Sequence, residues 1–140
     1  MGVTAFKSLA NYSTYWARIT DCETHSRRDI GPGDVMGFDY WVPWCTDQAG
    51  FPEHHIQLDL FAAKPTAHTT LHPVKSYSIW QSADADGDFL RYSTDGKYHG
   101  RNDQLSGGGT PGPHVSGVAA VDGNRLVKVH GDTFEVRASG

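Results

Sequence analysis

The histidines are the first residues whose spacing invites a chemical reading, eight of them in 140 residues. His68 and His72, in "HTTLH", stand four apart, the spacing of two zinc ligands on one helical face. Pro65 and Pro73 flank them and two threonines lie between, so an extended or looped path is expected. At ~3.3 Å per residue, strand positions four apart lie about 13 Å from each other, whereas a zinc–nitrogen bond is about 2 Å long. The two rings then cannot share an ion without a bend. His54 and His55 are adjacent, and adjacent strand residues point to opposite faces. Spacing therefore predicts no zinc site. His54 keeps a second reading, because in "HHIQLDLF" it shares parity with Ile56, Leu58 and Leu60. An inward histidine near Asp39 or Asp59 could serve as a general base. The chain carries no nucleophile elbow, phosphate-binding loop, dinucleotide fingerprint or zinc-protease motif, so no catalytic residue is assigned.

The acidic run "DADGDFLRYSTD" places Asp84, Asp86 and Asp88 at positions one, three and five of a twelve-residue stretch ending at Asp95. In this it resembles an EF-hand calcium loop. Phe89 stands where the glycine of that loop makes its sharp bend, Asp95 replaces the bidentate glutamate, and no helices are expected on either side. Alternating aspartates at a β turn can still ligate calcium by another path. Asp84, Asp86 and Asp88 are thus the candidate calcium ligands, against the plainer reading of a solvated hairpin. No other cofactor is expected. Cys22 and Cys45 read equally as one bridge or as two thiols.

"DYWVPWC", residues 39–45, concentrates three aromatic rings around a proline. As a strand, it puts Tyr40 on the face of Phe38 and Met36, and Trp41 on the opposite face with Asp39, Gly37 and Val35. Pro43 has no N–H and holds Val42 extended, so pairing is expected to stop there, leaving Trp44 on a loop before "CTDQAG". Trp41, Trp44 and Tyr40 are the candidate ligand-binding residues. Aromatic rings with one apolar and one wet side suit sugar faces and membrane interfaces. The six residues "YWVPWC" resemble the aromatic segment of the aegerolysins, small acidic β-sandwich lipid binders, through their proline–tryptophan step. The segment comes earlier in this chain and its cysteine is displaced, so the resemblance stays with those six residues.

The elements that must position these groups are strands. "TYWARIT" and "HHIQLDLF" alternate apolar and polar residues with a period of two, and so do "RLVKVH" and "TFEVRA". Further strands are expected at "VMGFDYW", "KSYSIWQ" and "DFLRYST", the last turning through Asp95-Gly96 into "KYH". "VSGVAAV", "RLVKVH" and "TFEVRA", joined at Asp122-Gly123-Asn124 and Gly131-Asp132, predict a C-terminal three-stranded meander. No sustained helical stripe occurs; short helical turns are expected only near Phe6 and Ala62. Turn signals every ~8–12 residues favour an antiparallel β-sandwich or β-barrel of eight or more strands. The whole chain, residues 1–140, reads as a single all-β domain. The stretch of about 100–114, "GRNDQLSGGGTPGPH", holds five glycines and two prolines and reads as a long loop, a lid or a ligand contact.

Charge narrows the partners. Twelve basic residues against sixteen acidic ones give a net charge of −4, with no concentrated positive face for nucleic acid. No stretch is long and apolar enough for a transmembrane segment. The N-terminus lacks the pattern of a signal peptide, which leads us to expect a cytoplasmic protein or one released without a visible secretion signal. Protonation of all eight histidines would take −4 to +4, so surface affinity is expected to vary with pH. The expected function is a non-catalytic recognition module for carbohydrate, in the manner of a lectin, or for membrane lipid headgroups. The alternatives are a small β-barrel enzyme whose pocket the Gly-rich loop closes, and a homo-oligomeric structural protein with the aromatic patch as its interface.

Overall fold

The computed structural model describes residues 3–66, 71–84, 87–99 and 112–139. Among them the strands run β1 (Thr4–Asn11), β2 (Trp16–Asp21), β3 (Ser26–Ile30), β4 (Val35–Trp41), β5 (Ile56–Phe61), β6 (Lys75–Asp84), β7 (Gly87–Ser93), β8 (Gly123–His130) and β9 (Thr133–Ala138). A 3-10 turn, Phe51–Glu53, is the one helical element among the described residues. The strands form a four-stranded sheet, β4-β1-β8-β9, and a five-stranded sheet, β3-β2-β5-β6-β7. The sheets do not close into a barrel, and an all-β sandwich results. No described helix is long and apolar enough to cross a membrane.

Period two explains most of the packing. Ala17 and Ile19 of β2, Ile56, Leu58 and Leu60 of β5, and Val127 and Val129 of β8 all turn inward and are fully buried. Each of these valine, leucine and isoleucine side chains contributes ~1.5–3 kcal/mol on leaving water. β1 breaks the period. Its pairing with β4 and β8 shifts between Phe6 and Ser8, and the irregularity lets Phe6 and Leu9, three residues apart, both point into the core. The expected helical turn near Phe6 is therefore a central strand, antiparallel to β4 and parallel to β8. Ala62 lies in a bend after β5.

Of the expected meander, β8 and β9 form the hairpin, closed by Gly131 at φ 57° and Asp132. "VSGVAAV" takes another place. Leu90 N–H donates to Ala119 O, Val115 N–H to Leu90 O and Val118 N–H to Val136 O, so this segment stitches β7 to β9 across the edge of the sandwich. "KYH" is no strand either; Tyr98 buries its ring with Cys45, Phe51 and Trp80 in a second, smaller core. The part of the Gly-rich stretch at 100–111 lies outside the described residues; Gly112 packs on Trp80 so closely that a Cβ would meet its ring at 2.9 Å.

Candidate functional site

β6 is longer than its neighbour β5. Their pairing spans Ile56↔Ile79 to Leu60↔Lys75, so the continuation of β6 has backbone groups that β5 does not reach. The segment after β4 supplies them: Gln81 N–H donates to Pro43 O at 2.8 Å, and Cys45 N–H donates to Gln81 O at 3.1 Å. The Gln81 side chain adds a bond from Nε2 to Val42 O. Before it, Val42 N–H still donates to Thr4 O of β1 at 2.8 Å. The chain thus crosses from one sheet to the other over four residues, 42–45, with Pro43 at the point where no N–H is needed.

This crossing makes one wall of a cleft of about 420 Å³, lined by Trp41, Val42, Pro43 and Trp44 with Val3, Glu23, His54 and Gln81. Trp41, the last residue of β4, is 61% exposed, while Trp44 is half-buried. Glu23 sits in the β2–β3 turn, fixed by its N–H to Asp21 Oδ1 at 3.0 Å. His54 closes the 3-10 turn, its N–H on Phe51 O, and its Nδ1 lies 3.2 Å from Glu23 Oε2. Cys22 N–H to His55 O, at 3.2 Å, carries the β2–β5 ladder on past the strands and brings these two turns together. Gln81 is 1% exposed, and its Oε1 has no hydrogen-bond partner among the described residues. An acceptor left so costs ~1–3 kcal/mol. No lysine or arginine lines the cleft among the described residues.

The sequence-derived candidates divide. Trp41 and Trp44 come together in the cleft. Tyr40 does not line it: the ring is 4% exposed, packs on Phe38 at 4.7 Å between centroids, and its hydroxyl meets Ser26 Oγ at 3.0 Å. Asp84 ends β6 opposite Gly87, and Asp88 pairs with Ala83, so the acidic run is a β6–β7 hairpin rather than a helix-flanked loop. Asp86 lies outside the described residues, and no group of three or more potential metal ligands occurs among those described. His68 is likewise outside them, while His72 is exposed.

The histidine next to β5 that faces inward is His55, not His54. β5 begins only at Ile56, so the expected parity does not extend to His54, and neither suggested carboxylate is near it: Asp39 pairs with Lys7 at 2.9 Å, and Asp59 accepts from Gln57 and Ser76. His55 is buried, stacks on Phe51 at 4.6 Å, and meets Phe51 O through Nδ1 at 2.6 Å, which places a proton on Nδ1. Its Nε2 lies 3.4 Å from Cys22 Sγ. The pair has the layout of a nucleophilic dyad, but burial, followed by the charges of Asp21 and Asp59, pushes the Cys22 thiol up to about 11. A thiol in that state is a poor nucleophile at neutral pH. Cys45 is buried against Phe51 and Trp80 and also raised, chiefly by desolvation. Both cysteines are free thiols.

Comparison with protein-family models, with curated proteins and with solved structures finds no match to this chain. The cleft therefore has to be interpreted from its own chemistry.

Proposed function

We propose that this β-sandwich is a carbohydrate-recognition module and that the Trp41–Trp44 cleft is its binding site. The observation that carries the reading is Trp41: an indole 61% exposed at the rim of a concave site, on a segment fixed by three hydrogen bonds to Gln81. A rigid aromatic face packs against the C–H face of a sugar ring, and the polar groups around it take the hydroxyl edges. The volume of about 420 Å³ lies toward the small end of the ~300–1,000 Å³ typical of small-molecule sites.

A membrane-lipid reading has less support. Val3 and Trp41 are the exposed large apolar side chains at this cleft, whereas exposed Val35 lies at the other end of β4, about 20 Å away at ~3.3 Å per residue. Insertion into a bilayer favours a contiguous apolar patch. Tryptophan emission, titrated in parallel with a panel of soluble glycans and with phosphatidylcholine and phosphatidylserine vesicles, tests the proposal. A saturable shift with a glycan, lost in Trp41→Ala, supports it. A shift with vesicles alone replaces it with the lipid reading, and no shift with either removes it.

A further inference from the structure

Among the described lining residues the cleft's one carboxylate is Glu23, and its donor-bearing side chains, apart from the clamped Gln81 amide, are Trp41, Trp44 and His54. The Glu23 carboxylate, with about four lone-pair positions, spends one on His54. Against these stands no lysine or arginine among the described lining residues, and the faces of Trp41 and Trp44 carry the negative end of the aromatic quadrupole. The carboxylate accepts from hydrogen-bond donors, and no lysine or arginine among the described lining residues neutralises a ligand's negative charge.

We infer that the cleft selects an uncharged, hydroxyl-rich pyranose and discriminates against phosphorylated, sulfated and sialylated sugars. The inference rests on the carbohydrate reading and deepens it. Hydroxyl groups supply donors to the free positions of the Glu23 carboxylate, and one ring face covers Trp41. An anionic substituent brings acceptors to acceptors and its charge to the Glu23 carboxylate.

The test is calorimetric titration of the full chain with matched pairs: lactose and 3′-sialyllactose, galactose and its 6-sulfate, mannose and its 6-phosphate. The expected result is binding of at least one uncharged member, with its charged partner weaker by about tenfold or more. In the bound sugar, replacing one hydroxyl at a time by fluorine, which removes the donor, is expected to cost about tenfold at one position or more. Glu23→Gln is expected to narrow the gap between an uncharged sugar and its anionic partner. An anionic sugar binding as well as its uncharged partner, or a fluorine scan without loss, overturns this selectivity while leaving the carbohydrate reading in place. Failure of every sugar removes both.

Discussion

Gln81 N–H donates to Pro43 O at 2.8 Å, and this bond, with the return from Cys45 N–H to Gln81 O, hangs the tryptophan segment of one sheet on a central strand of the other. The cleft is a by-product of unequal strand lengths: β6 outruns β5, and residues 42–45 fill the place that β5 leaves. Trp41 is held by the pairing of β4 with β1, but without that clamp Trp44 would be a ring on a loop.

Gln81→Leu keeps volume but strips the donor from the buried Val42 carbonyl. It is expected to lower unfolding free energy by ~1–3 kcal/mol, read by urea denaturation. The loss is offset in part because the orphaned Oε1 disappears with the amide. A variant as stable as the parent would show that the side-chain clamp is idle.

The tryptophans should separate by role. Trp41→Ala, at a side chain mostly in water, is expected to change stability by no more than ~0.5 kcal/mol, whereas Trp80→Ala, fully buried against Phe51, Tyr98 and Gly112, should cost ~3–5 kcal/mol. Thermal melts of the two variants check the order. Equal losses would mean that Trp41 is structural.

Cys22, pushed up to about 11 by burial and then by Asp21 and Asp59, is expected to stay protonated at neutral pH and to alkylate slowly with iodoacetamide. Its folded pKa lies above the unfolded one, so the stabilisation tied to the neutral thiol is complete below the unfolded value of ~8.5 and is lost as pH rises towards about 11. Asp59→Asn removes one of the raising charges and should move thiolate absorbance to lower pH. Rapid alkylation at neutral pH would instead make Cys22–His55 an active dyad.

At Asp95 desolvation pushes the pKa up, but hydrogen bonds from His99 and from Lys97 N–H outweigh it and hold the carboxyl below its usual range. The folded pKa therefore lies under the unfolded one. The resulting stability is present above the unfolded value and lost as pH falls through the folded one. The pair is largely in solvent, so Asp95→Asn is expected to cost no more than ~1 kcal/mol at neutral pH and progressively less in acid. Chemical denaturation at several pH values measures this. A cost that stays constant as the carboxyl protonates would contradict the assignment.

Legibility in the sequence followed locality. β2, β5 and β9 alternate cleanly, and β4 was bounded by its own aromatic pattern. β1 was hidden because its irregularity puts Phe6 and Leu9 on one side, which no period of two predicts. β3, "SRRDI", has its arginines in solvent at a sheet edge and shows little apolar pattern. The parallel partnership of β1 with β8 joins the two ends of the chain and leaves no turn signal to read. The cleft was half legible: Trp41 and Trp44 are neighbours, but Glu23, His54 and Gln81 arrive from three separate segments. One local sign did exist, since Gln81 shares parity with Tyr77 and Ile79, a polar residue at a core position.

The central claim, that Trp41 and Trp44 hold a sugar, is tested most directly by the indole N–H resonances of the four tryptophans during titration with the uncharged sugars named above. The account predicts saturable shifts at Trp41 and Trp44, with Trp80 in its sealed core and Trp16 beside Lys64 unmoved. Shifts confined to Trp16 or Trp80, or none at all, would contradict it.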